Sequence, residues 1–186
     1  KIIEHNLNKK IYIGASPILA NQIILNTFLQ NKFLQNKFLK LKDIILNKIS
    51  NNIQDWKSEV SVKNCDECSR LDFKVDNNYI EIKNVPLASY NLNDINENFL
   101  KFYPKNQKIF LNLKDKKKYA VFPDGFTKKT NDLVSERAYK HLKTLNRLSK
   151  NFNSILIFTV FRKDCEYFIP NFKRDPKYSN LLKKLI

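Results

Sequence analysis

Asp72, Glu81 and Lys83 stand in the order Asp-x8-Glu-x-Lys, a set of residue types and spacings suited to chemistry on a phosphodiester. They lie on two strand-like segments, Arg70-Leu71-Asp72-Phe73 and Tyr79-Ile80-Glu81-Ile82-Lys83-Asn84, with the turn residues Asp76-Asn77-Asn78 between them. Side chains two apart on a strand project from one face, so Glu81 and Lys83 share a side. A tight hairpin at the turn residues brings Asp72 back beside them. Two carboxylates and one ammonium then converge. Carboxylate oxygens suit a hard divalent cation, Mg²⁺ or Mn²⁺. A cation held there bridges a phosphodiester and activates a water. The lysine orients that water or offsets the charge that develops on the phosphate. The competing reading is a solvated strand face carrying alternating charge. Against it, Leu71, Phe73, Val75, Ile80 and Ile82 alternate with the charged residues and set them opposite a buried face of a sheet.

The elements that must position these residues follow from periodicity and turn signals. Lys10–Ile13 reads as a strand, and Ser16-Pro17 as a helix start with Ser at the N-cap. From Ile18 to Leu39 apolar residues recur at helical spacing, and Leu41–Ser50 continues as helix. Trp56–Val62 reads as a strand, and Leu71–Val75 with Tyr79–Val85 as the hairpin, closed by Pro86. Asn91–Lys118 is polar and rich in Asn and Lys, an inserted loop. Tyr119–Phe122 is a short strand entering the turn Pro123-Asp124-Gly125. Leu133–Lys150 is amphipathic, with Val134, Ala138, Leu142, Leu145 and Leu148 as the buried stripe. Arg137, Lys140, His141, Thr144 and Arg147 lie towards its other side, a face suited to phosphate or to solvent. Asn153–Phe161 and Asp164–Phe168 read as strands, and Tyr178–Ile186 as a helix. The order α-β-β-β-α-β predicts an α/β fold, a mixed sheet flanked by helices. It is the core order of the PD-(D/E)XK, or restriction-endonuclease-like, superfamily.

Composition bounds the rest. The chain has 186 residues, 42% of them hydrophobic and 12% aromatic, enough for a single domain with a core. No apolar run reaches the ~18 residues of a membrane span. The opening Lys-Ile-Ile-Glu-His-Asn does not read as a signal peptide. Three cysteines argue against a disulfide scaffold and for an intracellular, reducing compartment, cytoplasm or nucleoid. Cys65 and Cys68 form a lone CxxC, and Cys165, His5 and His141 lie at no zinc-ribbon spacing from it, so the pair reads as ordinary loop residues. The net charge of +16 calls for a polyanionic partner, DNA or RNA engaged through its phosphates. An AT-rich coding bias accounts for part of the abundance of Lys, Asn and Ile. No oligomeric state follows from the sequence. The chain begins at Lys1 and contains no Met, so a processed, trimmed or fragment N-terminus is expected.

Several segments together resemble one family. They are Trp56-Lys57-Ser58-Glu59-Val60, Ser69-Arg70-Leu71-Asp72-Phe73, and Tyr79 through Leu87. Val121-Phe122-Pro123-Asp124-Gly125-Phe126-Thr127, followed by Ser135-Glu136-Arg137-Ala138-Tyr139-Lys140-His141-Leu142, is similar to a family pattern of roughly FPDAVTERGxKHL. Phe161-Arg162-Lys163-Asp164, Pro170 and Asp175-Pro176-Lys177-Tyr178 also fit. The family is that of sugar fermentation stimulation protein A (SfsA). The resemblance implies a PD-(D/E)XK-like domain over 1–186, DNA binding without sequence preference, and a nuclease site. It implies that Glu59 joins Asp72, Glu81 and Lys83, although Glu59 alone reads as a surface acid. It also implies that Arg70, Asp124, Arg137, Lys140 and His141 line the site. The family's N-terminal OB-like lobe, with its HxPNTGRL-type segment, has no counterpart here, and the family continues past the last helix. A fragment of a longer protein is therefore the expectation.

Two functional classes follow: a Mg²⁺-dependent nuclease, and a non-catalytic DNA-binding regulatory protein on the same fold. The clustered acids favour the first, because binding phosphate alone has no need of them. A structural or assembly protein is a third class, separated from the others by salt-dependent retention on DNA.

Overall fold

The computed structural model describes residues 2–6, 9–13, 16–30, 55–63, 68–89, 118–123 and 135–186. Within them run β1 (Ile2–Asn6), β2 (Lys9–Ile13), α1 (Pro17–Gln30), β3 (Trp56–Lys63), β4 (Cys68–Val75) and β5 (Asn78–Asn84). These are followed by β6 (Ala88–Ser89), β7 (Lys118–Phe122), α2 (Glu136–Leu148), β8 (Asn153–Thr159), β9 (Cys165–Pro170) and α3 (Pro176–Lys184). The fold is a mixed α/β fold, and the α-β-β-β-α-β core order appears as α1, β3, β4, β5, α2 and β8. The chain divides into two compact units, one of residues 16–84 and 143–159, the other of residues 1–15, 85–142 and 160–186. The insert at 91–118 falls outside the described residues except Lys118. So do the end of the first predicted helix, the segment 41–50, Cys65 and Asp124.

The first unit is built on a mixed sheet in the order β3-β4-β5-β8. The pairs β3–β4 and β4–β5 are antiparallel, whereas β5–β8 is parallel. Alternation in β4 buries Ser69, Leu71, Phe73 and Val75 and leaves Cys68 and Arg70 exposed. The hairpin loop is Asp76-Asn77 alone, since Val75 pairs with Asn78. Asp76 has φ 47°, the left-handed conformation that such two-residue loops require and that Asp tolerates. Asn78 belongs to β5, where its amide donates to the Val75 carbonyl at 3.0 Å. Helix α1 packs on β5 and buries Ala20 and Ile24. On α2, Leu145 is buried and Thr144 donates to the Ser69 hydroxyl at 2.9 Å.

The second unit holds the antiparallel pair β1–β2, a sheet in the order β6-β7-β9, α3 and the first turns of α2. Strands β1 and β6 carry no sequence signal: the first is short and polar in part, the second two residues long. Tyr119, Val121, Leu142, Ile169, Tyr178 and Leu182 are buried in this unit.

Three of the family-like motifs have structural explanations here. Asp175 is fully buried and caps α3, one oxygen accepting from the Tyr178 N–H at 2.9 Å. Its other oxygen accepts from the Ser135 N–H at 3.3 Å, where the Ser135 hydroxyl caps α2 by accepting from Ala138 N–H. One carboxylate thus ties together two helix starts. The guanidinium of Arg162 grips Asp164 at 3.1 and 2.9 Å and donates to the Pro86 carbonyl at 3.0 Å. We expect Asp175→Ala to lower stability by about 2 kcal/mol, the upper end for a cap, because the carboxylate is fully buried and serves two helix starts. Urea unfolding checks this, and a loss below about 0.5 kcal/mol would contradict it.

Candidate active site

The antiparallel ladder between β4 and β5 runs from Val75–Asn78 to Phe73–Ile80 and stops there. The next residues are Asp72 and Glu81. Instead of meeting a backbone carbonyl of β4, the Ile82 N–H donates to Asp72 Oδ2 at 2.7 Å. A side chain has taken the place of the ladder, and the strands part at the two carboxylates. β5 stays fixed beyond this point because β8 pairs with it on its other side, Glu81 opposite Leu156 and Lys83 opposite Phe158. The Thr159 hydroxyl also donates to the Lys83 carbonyl at 3.3 Å.

Lys83 donates its ammonium to Glu81 Oε1. The Glu81 side chain is 3% exposed and that of Lys83 13% exposed. The charged face is therefore not a solvated one, as α1 packs on β5. Asn21 on that helix donates its side-chain amide to Asp72 Oδ1 at 2.9 Å. Burial, and then the negative charge of Glu81, raises the Asp72 pKa above its usual value of 3.8. The Ile82 N–H, the Asn21 amide and Lys83 pull the other way. The structure thus brings Asp72, Glu81 and Lys83 together as their spacing predicts, and it adds Asn21. The only trace of Asn21 in the sequence is the polar pair Asn21-Gln22 between Ile18-Leu19-Ala20 and Ile23-Ile24-Leu25.

The other predicted residues are placed differently. Glu59 has φ 51° and is passed over in the β3–β4 register, which steps from Ser58–Phe73 to Val60–Leu71. Its carboxylate meets Arg70 at 3.3 Å, with both side chains more than half exposed. Such a pair contributes about 0–1 kcal/mol. Among the described residues no three His, Cys, Asp or Glu side chains form a metal-binding group, so Glu59 does not join Asp72 and Glu81 here. On α2, Arg137 is exposed and Lys140 and Arg147 are half-buried, but His141 and Thr144 are buried. The predicted outward placement of His141 and Thr144 is corrected on that account. They lie three residues from Ala138 and from His141 respectively, on the border of the apolar stripe, and the helix is covered over a wider arc than the stripe alone.

On donor chemistry, Asp72 and Glu81 fit a hard divalent cation: they are oxygen donors whose mutual repulsion such a charge relieves. Comparison with known proteins places the chain in a family. A model described as the sugar fermentation stimulation protein RE domain matches residues 99–186. A sugar fermentation stimulation protein homolog of Saccharolobus solfataricus is 36% identical over 138 residues, covering 74% of this chain and 40% of that protein. The homolog of Sulfolobus acidocaldarius is 32% identical over 145 residues, covering 76% of this chain and 47% of that protein. The chain belongs to the sugar fermentation stimulation protein family. It spans less than half the length of these two family members. The structure of Pyrococcus furiosus SfsA in complex with Ca²⁺ overlaps it with a TM-score of 0.47 at 22% identity, over 77% of this chain and 48% of that one. The family-model match begins downstream of Asp72, Glu81 and Lys83, so the case for the site stands on its geometry. Among the described residues no helix is long and apolar enough to cross a membrane, and neither Cys68 nor Cys165 is in a disulfide.

Proposed function

We propose that this member of the family hydrolyses phosphodiester bonds of nucleic acid with a divalent metal, Mg²⁺ or Mn²⁺, and without sequence preference. The observation that carries the reading is the parting of β4 and β5 at Asp72 and Glu81, with the Lys83 ammonium on Glu81. A sheet gains nothing by breaking its ladder to face two carboxylates, whereas a phosphate-processing site needs them. Asp72 and Glu81 would hold the ion, which supplies positive charge and Lewis acidity towards a phosphoryl oxygen. Lys83, still partly exposed, faces the attacking water or the charge developing on the phosphate. The Ile82 N–H and the Asn21 amide hold the Asp72 carboxylate in one orientation.

The net charge of +16 supports nucleic acid as the substrate class, with Arg70, Arg137, Lys140 and Arg147 as phosphate contacts. His141 is left out of that set because it is buried. The test is the shortening of end-labelled single- and double-stranded DNA and RNA with Mg²⁺ or Mn²⁺, stopped by EDTA. If every substrate stays intact with every divalent metal while DNA is still retained, the protein is a binding protein on this fold. Binding itself is expected to weaken steeply between ~50 and ~300 mM salt, by about one log unit per log unit of salt for each phosphate contact. It is expected to differ little between sequences, as no base-reading element is present among the described residues. Fluorescence anisotropy checks both, and a flat salt response would remove the electrostatic account.

A further inference from the structure

We infer that Asn21 is a positioning residue for the proposed metal site, fixing the Asp72 carboxylate from helix α1; the inference rests on the reading of Asp72 and Glu81 as ion ligands. A carboxylate at the end of a short side chain rotates about its last bond, and a ligand needs that rotation stopped. At Asp72 two donors stop it from different elements. The Ile82 N–H of β5 takes Oδ2 at 2.7 Å, and the Asn21 amide of α1 takes Oδ1 at 2.9 Å. Each oxygen accepts one of these bonds, and a carboxylate oxygen has a second lone pair left for a cation. The two donors set the plane of the group, and neither adds negative charge to it.

The location of Asn21 makes this more than a surface contact. Asn21 is adjacent to Ala20 and three residues before Ile24, both buried, so its part of α1 is anchored on the sheet. A polar residue next to that anchor is costly unless it is bonded, and Asp72 is its partner across 51 residues of sequence. A partner of this kind, which orients a ligand without touching the ion, accounts for about 10–100-fold in metal affinity or activity.

Two substitutions separate positioning from packing. Asn21→Leu keeps the heavy-atom branching and removes the donor. Asn21→Gln keeps an amide on a longer arm. Mn²⁺ affinity is read by titration calorimetry at a temperature well below melting, with the metal-free melting temperature alongside. The expected result is about a 10-fold or greater loss of Mn²⁺ affinity in Asn21→Leu, partial recovery in Asn21→Gln, and metal-free melting of Asn21→Leu near that of the wild type. Equal Mn²⁺ affinity in wild type and Asn21→Leu overturns the role of Asn21 and leaves the metal site standing. Equal losses in both variants, together with lowered metal-free melting, also overturn it, since Asn21 is then only a packing residue. A wild type that binds no Mn²⁺ overturns the site itself, and the role of Asn21 with it.

Discussion

Replacing Lys83 with alanine is expected to lower metal-dependent cleavage by roughly 10²-fold or more, the scale of losing one electrostatic or proton-transfer group. Affinity for nucleic acid should change little, because one positive charge is removed from a chain whose net charge is +16. The asymmetry follows from where Lys83 sits. Its ammonium is bonded to Glu81 and its side chain is only 13% exposed, so it contributes little to a distributed phosphate-binding surface. Its influence is confined to whatever lies at the two carboxylates. Removing it also takes a compensating charge away from Glu81 in a buried position, which adds a stability cost. Lys83→Arg separates the two effects: it retains the charge opposite Glu81 but presents a broad fork where a compact ammonium stood. The expected order of rates is wild type, then Lys83→Arg, then Lys83→Ala, with single-turnover cleavage as the measurement. Wild-type rates in Lys83→Ala would contradict the catalytic assignment.

The second large effect concerns the ion. Asp72→Asn is expected to reduce Mn²⁺ affinity by about 10-fold or more, on the scale of losing a group that serves the metal, while metal-free stability stays unchanged or rises. The sign comes from the raised pKa of Asp72. A carboxyl group raised in the folded state binds protons more tightly there than in the unfolded chain. Its stabilising contribution is complete below the unfolded value of about 3.8 and is lost as pH rises through the folded value. At neutral pH the charged Asp72 is therefore a cost, and the neutral amide does not bear it. In Asp72→Asn the new side chain would still accept from the Ile82 N–H through its carbonyl oxygen and would donate its amide N–H to the Asn21 oxygen once the Asn21 amide is turned. In the wild type the divalent ion should restore what the charge costs. At about 100 times its dissociation constant a ligand stabilises by about 2.7 kcal/mol. Thermal melts with and without Mn²⁺ should show a metal-dependent rise in the wild type and little in Asp72→Asn. A metal-free Asp72→Asn protein that melts well below the wild type would contradict the electrostatic description of the site.

The local parts of this site are legible in the sequence, and the long-range parts are not. Glu81 and Lys83 share a face because they are two residues apart on a strand, and the hairpin returns Asp72 to them. Alternation and turn chemistry carry both facts. Asn21 comes from a helix 51 residues away, and nothing local announces such a contact. Glu59 is set apart by its backbone: at φ 51° it drops out of the β3–β4 pairing while the register is the same on either side of it, and the residue type gives no warning of that. His141 is misplaced when polarity on an amphipathic helix is equated with exposure, because the covered arc extends past the apolar stripe. The motifs matched by family likeness are of mixed kind. Arg162 forms an ion pair with Asp164, and Asp175 caps α3, and both are explained by the fold alone.

The central claim is that Asp72 and Glu81 hold a divalent ion beside Lys83. The most direct measurement is anomalous scattering from a crystal of the protein soaked in Mn²⁺. The account predicts a peak within bonding distance of both carboxylates, about 2.0–2.2 Å from an oxygen of each, and no such peak in Asp72→Asn. Cleavage that persists with Mn²⁺ while the peak is absent, or lies away from Asp72 and Glu81, would contradict it.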